Sequence, residues 1–310
     1  MHTPKNTGHF ARSSAMRHRS ERRFRTLALL ATLAGVLALV TLITGILNDG
    51  VAWISSGFFE NYPSRSPRRA GFHAAIYGSL WCISFTALIA IPIGICAALY
   101  LEEYSKRGRL HRALEILIAN LAGVPSILYG MLGLIAFVRM FDQFDEGASF
   151  LGMPLPLGRS VLAGASTLVL LILPVIIIAT REAIRAVPDT LRQAAFSLGA
   201  TRWQCVRHHV LPSATPGIMT GIVLALSRAL GETAPLIMIG ALTYVAFVPE
   251  SPFDPFTVMP IQIFNWASRP QEDFHHLAAA GIIVLLMFLF TLNGIAVLIR
   301  NRADRRLGKH

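Results

Sequence analysis

The chain has 310 residues, of which 54% are hydrophobic and only 15% charged, and its mean hydropathy is +0.55. A soluble domain carries about 25% charged residues, so an ordinary water-soluble fold is excluded. The surplus of 28 Lys and Arg over 17 Asp and Glu fits nucleic acid, an acidic partner or the inner face of a membrane protein, and the placement of the charges decides among them.

Residues 1–26 form a basic tail with Lys5, Arg12, Arg17, Arg19, Arg22, Arg23 and Arg25, expected to be disordered until it meets the membrane. The apolar run 27–47 follows. It is longer than the about 7–15 residues of a signal core and lacks a small-x-small cleavage site, which predicts an uncleaved anchor. Further runs at 75–101, 116–138, 160–180, 217–247 and 277–299 bring the total to six spans of an all-α integral membrane protein. Lys and Arg number seven in the tail, four in the second loop, five in the fourth and five in the closing tail 300–310, against six in the other three loops together. By the positive-inside rule both termini are cytoplasmic, and the basic tail is a topology determinant rather than a nucleic-acid arm.

Pro92, Pro125 and Pro174 each interrupt a span and are expected to bend packed helices. Trp53, Trp81 and Trp266 lie near span ends, as interfacial anchors do. Cys82, Cys96 and Cys205 lack metal-ligand spacing. The pairs His208-His209 and His275-His276 point in different directions from a helix, so no metal site is expected. The acidic stretches 142–146 and 271–273 read as solvated outer loops or contacts for an outer partner.

The fourth loop, 181–212, reads as two short helices with a hinge. Pro188-Asp189-Thr190 makes a helix start, Leu191, Ala194, Ala195 and Leu198 share one face, and Gly199 supplies a left-handed stop. A second helix is expected after Thr201, stopping near Leu211-Pro212. Such a helix either lies on lipid or docks in a groove of a soluble partner.

The run 217–247 is too long for a single straight crossing, because as one helix it would measure about 46 Å against a hydrocarbon core of about 30 Å. Gly231 and Pro235 mark a hinge where it is expected to kink or unwind. Arg228 and Glu232 flank that point, four residues apart, with Thr233 beside them. A charge at the centre of a span costs about 2.5–3.5 kcal/mol, so both must face protein or water. Two readings stand: a structural ion pair that locks helices together, or a substrate path in which Arg228 offers its donor fork to an oxyanion and Glu232 holds it or favours a protonated anion.

Gln193-Ala194-Ala195, Gly199 and Leu211-Pro212 resemble the EAA loop of binding-protein-dependent ABC importers, with Gln193 in place of the usual glutamate and His209 in place of an aliphatic residue. Gly123-Val124-Pro125-Ser126-Ile127-Leu128-Tyr129-Gly130, Gly78-Ser79-Leu80 and the stretch 228–236 are similar to the phosphate permeases of that family, with the long match over roughly 70–300 favouring the PstA branch. The resemblance implies a type I (MetI-like) permease core over 75–299 in a bacterial inner membrane. It further implies a coupling helix in which Gln193, Ala194, Ala195, Leu198, Gly199 and Ala200 seat in an ATPase. Implied partners are the homologous permease PstC, two PstB ATPase subunits and the periplasmic phosphate-binding protein PstS, with phosphate as cargo. The chain itself has no Gly-x-x-x-x-Gly-Lys-Ser/Thr loop, so ATP and Mg are expected on the ATPase and no cofactor here. An ATPase-independent anion channel or secondary transporter is the competing class, against which the EAA-like loop argues. An intramembrane enzyme lacks a nucleophile with a base, paired carboxylates or a metal motif in the spans.

Overall fold

The computed structural model describes residues 8–106, 108–139, 149–150, 153–154, 158–241 and 244–306. The acidic stretch 142–146 lies outside them. Helix α1, Gly8–Gly50, takes in most of the basic tail as well as the first apolar run. The tail is therefore helical from Gly8, where disorder was expected, because a long helix propagates at little cost into a polar segment free of proline and almost free of glycine. After the short α2, Ser56–Glu60, α3 runs His73–Leu99 and is prolonged by a π-helical turn, Tyr100–Tyr104.

The third apolar run is not one straight span. It forms α4, Arg109–Ala122, and α5, Ser126–Gly133, which is prolonged by a π-helical turn to Arg139, and the two arms meet at 103°. Pro125 explains the break: it has no N–H to donate and it disfavours α geometry at Val124. A minimal antiparallel pair follows, β1 Ser149–Phe150 with β2 Met153–Pro154. Next come α6 Val161–Arg185, α7 Asp189–Ser197, α8 Arg202–Cys205, α9 Leu211–Gly231, α10 Ala234–Met238, α11 Met259–Ala267 and α12 Glu272–Arg306. Among the described residues five helices are long and apolar enough to cross a membrane, and the bent pair brings the number to six.

Helix α6 is the central one, with 67% of its span window buried, whereas the span window of α1 has none. Small residues let α9 approach it closely: Gly217 and Gly221 face Ala183 and Ala179 of α6, where a β-carbon would collide. Helices α3 and α6 run on through Pro92 and Pro174. At the end where α3 and α6 begin, Phe58, Phe72 and Trp266 cluster with ring centroids 5.3–5.9 Å apart, and Phe256 and Phe274 are buried nearby. Trp266 is fully buried, a correction to its expected interfacial role. α11 lies against α12 and α3, so the indole faces protein instead of lipid headgroups.

Candidate translocation and coupling sites

Two stretches more than a hundred residues apart meet in the fold. The hydroxyl of Tyr129 donates to the carbonyl of Leu121 at 2.7 Å, which satisfies a carbonyl in the last turn of α4 and pins the corner. On the next residue, a β-carbon at Gly130 would lie 2.6 Å from the Cα of Pro235 and 2.9 Å from the Cβ of Met238, so α5 touches α10 closely only because position 130 has no side chain.

The fifth apolar run is divided at that contact. A continuous helical path starts at Arg202 and ends at Gly231. Glu232 is extended (φ −75°, ψ 128°), and α10 begins at Ala234 with Pro235 in its first turn, where the missing N–H is not needed. Gly240, at φ +86°, follows the end of α10. Arg228 and Glu232 thus occupy the last turn and the cap of α9, not the middle of an unbroken helix. Arg228 Nε lies 3.3 Å from Glu232 Oε1. The arginine side chain is 42% exposed and the glutamate 18%. Among the described residues the terminal nitrogens of Arg228 have no protein acceptor. Thr233 is half-buried beside the pair, and Tyr129 is close enough to feel the Arg228 charge. One residue before Arg228, the Ser227 hydroxyl donates to Asn293 Oδ1 at 2.8 Å and ties the end of α9 to α12. A guanidinium held through Nε with its outer fork open is suited to a tetrahedral oxyanion.

On α7, Gln193 and Ala194 are exposed, Ala195 is buried, and Leu198 is 89% exposed. The expected shared face of Leu191, Ala194, Ala195 and Leu198 is therefore split. The short helix rests on Leu191 and Ala195, and it turns Ala194, Phe196 and Leu198 outward together with Trp203 of α8. Gly199 adopts φ +80°, and Ala200 N–H donates back to the carbonyl of Ala195 at 3.1 Å, which closes the helix. A capping box of Thr201 with Gln204 opens α8. That second helix does not stop near Leu211-Pro212. A π-helical turn, Val206–Val210, carries it into α9, and Pro212 falls in the first turn, where it is tolerated.

Sequence reasoning missed an ionic cluster at the same end of the molecule. Arg181, buried in the last turns of α6, binds Glu102 at 2.6 Å and also Glu115. Arg185 reaches Glu102 at 2.9 Å and Glu115 at 3.2 Å, and Glu103 pairs with Arg192 at 2.9 Å. The signal was available: Glu102-Glu103 and Arg181 directly follow two apolar runs, so opposite charges emerge at the same membrane face. Among the described residues no three His, Cys, Asp or Glu side chains converge to hold a metal ion.

Residues 90–309 match the family described as binding-protein-dependent transport system inner membrane component. YqgH of Bacillus subtilis, a probable ABC transporter permease protein, is 35% identical over 250 residues, covering 79% of this chain and 75% of that protein. The phosphate transport system permease protein PstA of Pasteurella multocida is 31% identical over 268 residues, 86% of this chain and 90% of that one. A chain of the bacterial alginate ABC transporter, crystallised with an alginate pentasaccharide-bound periplasmic protein, has a similar fold with a TM-score of 0.65 at 18% identity, covering 94% of this chain and 96% of that chain. Fold, spans and family match agree: this chain belongs to the binding-protein-dependent transport system inner membrane components, as a membrane-spanning ABC importer permease subunit with PstA phosphate permeases among its homologues.

Proposed function

We propose that the chain forms half of the phosphate path of an ATP-driven importer in a bacterial inner membrane, with both termini cytoplasmic. The observation that carries this reading is the Arg228–Glu232 pair at the break between α9 and α10, with its guanidinium fork open. Relatives named as phosphate permeases support the choice of cargo. In this scheme phosphate accepts hydrogen bonds from the outer nitrogens of Arg228 while Glu232 holds the guanidinium in orientation, with Thr233 lining the same path. PstC supplies the other half of the path and PstS delivers phosphate from outside. Two PstB ATPases hold ATP and Mg, and one of them meets the outward side of α7 through Gln193, Ala194, Leu198 and the turn at Gly199–Ala200. Gly231 and Pro235 absorb the change of helix direction as the two halves alternate access. Phosphate and nucleotide must each bind one state better than the other for the cycle to advance.

A second reading keeps the permease and changes the cargo, because a guanidinium fork by itself does not distinguish one tetrahedral oxyanion from another. Uptake of radiolabelled phosphate into cells lacking the chain, restored with the wild type at matched membrane levels, tests both. ATP-dependent uptake that an excess of sulfate leaves unchanged supports phosphate, whereas restored uptake of a different anion favours the second reading. Arg228→Gln is expected to abolish uptake while leaving the assembled complex intact. Undiminished uptake by that variant would make the pair a purely structural lock.

A further inference from the structure

Arg192 uses every guanidinium nitrogen. Nη1 donates to the carbonyl of Val187 at 2.8 Å and to Asp189 Oδ1 at 3.0 Å. Nη2 donates to the carbonyl of Ile184 at 3.0 Å and to Glu103 Oε1 at 2.9 Å, and Nε reaches the same carboxylate oxygen at 3.2 Å. One side chain therefore joins three elements: α7, to which it belongs; the end of α6 and the residues just after it, where it bonds the carbonyl of Ile184, which also accepts from Val187 N–H at 3.2 Å, and the carbonyl of Val187; and the π-helical turn that ends α3. Both Arg192 and Glu103 are mostly shielded from water, which keeps the pair from being a screened surface contact.

The remainder of α7 is weakly held, since Ala195 is its one fully buried residue. Its backbone continues into α6 through residues 186–188 and into α8 through residues 198–201. A displacement of α7 thus reaches α6 and α8 through the chain, but neither adjoining segment leads directly to α3. The Arg192–Glu103 ion pair links α7 to the end of α3 directly, and Arg181 and Arg185 then tie the same two helices, α3 and α6, to α4.

We infer that Arg192 is a positioning residue, the joint through which movement of α7 is delivered to α3 and α6 together; its role in transport rests on the importer reading above. A lysine keeps one charge at this position but cannot bond carboxylate and two carbonyls at once, so Arg192→Lys retains only part of the joint.

The test uses the full chain in its reconstituted transporter, with spin labels at the exposed positions of Ser197→Cys and Tyr100→Cys in a Cys96→Ser background. A narrow distance distribution is expected with Arg192 present, and a width at least doubled in Arg192→Gln and in Glu103→Gln. Arg192→Lys should lie between. In the same vesicles, phosphate moved per ATP hydrolysed is expected to fall at least about fivefold in Arg192→Gln, the lower end of typical coupling between sites. The double variant Arg192→Gln/Glu103→Gln should lose no more than Arg192→Gln alone, because the two groups act as one contact. An unchanged width in Arg192→Gln overturns the joint. Broadening with undiminished phosphate per ATP overturns the transmission and leaves a static brace. Failure of the cargo assignment shows separately, as absent phosphate uptake with Arg192 in place, and the label distances decide the joint in that case because they need no cargo.

Discussion

The two ends of the helix bundle are held by opposite chemistries. Where α3 and α6 begin, Phe58, Phe72, Phe256, Trp266 and Phe274 make an apolar plug. Where they end, Arg181, Arg185 and Arg192 face Glu102, Glu103 and Glu115. Aromatic packing is short-ranged and fills space, so it holds one arrangement. Charged groups with several alternative partners can exchange them with little change in backbone position: Arg185 already shares Glu102, Glu115 and Glu182. The end carrying the exposed helix α7 is thus built from exchangeable contacts, and the opposite end from fixed ones.

The largest effect should come from halving the ionic end. Arg181→Met removes the buried cation of the cluster and leaves Glu102 and Glu115 to the half-exposed Arg185, and removal of one member of a buried ionic group costs about 3–5 kcal/mol. The amount of folded chain in membranes and its thermal unfolding in detergent are expected to fall accordingly. Replacing the cluster together, as Arg181→Met with Glu102→Leu and Glu115→Leu, should recover most of that stability, since an apolar substitute of similar volume is often neutral. A triple variant as unstable as the single one would show that packing, not uncompensated charge, sets the cost.

At the other end, Trp266→Ala is expected to cost about 3–5 kcal/mol through lost burial and a residual cavity, read by the same unfolding measurement. Unlike the ionic cluster, it has no second substitution that restores it by cancelling a charge. Gly130→Ala comes next. The added methyl must displace the backbone of Pro235, an overpacking cost of about 1–3 kcal/mol, and it should shift α10 and lower uptake more than it lowers the amount of folded protein. The smallest effect is expected for Thr201→Ala, which removes the capping box at α8 and about 1 kcal/mol, visible as faster amide exchange over α8.

Much of this is legible in the order of residues. Six apolar runs, the sidedness of Lys and Arg, and the excess length of 217–247 with Gly231 and Pro235 near its middle follow from bilayer thickness and helix rise. Both are fixed lengths against which a linear sequence can be measured. The burial of Trp266 is not legible in this way, because a tryptophan beside an apolar run looks the same whether a neighbouring helix or a lipid headgroup covers it. Nor is the buried side of α7: periodicity shows which residues share a side, and the docking of Leu191 and Ala195 without Ala194 and Leu198 depends on what lies beneath.

Residue order alone therefore settles the class of protein, the number of apolar segments and the residues whose charge is costly in a bilayer, because each is a property of one stretch of chain. Tertiary structure decides that Gly130 meets Pro235, that the third segment folds to 103°, and that Arg192 closes on Glu103. The first and last of these join positions far apart in the chain, and the angle of the second is set by the corner and by what packs on both arms. No local pattern encodes a pairing whose energy exists only after the intervening helices have packed.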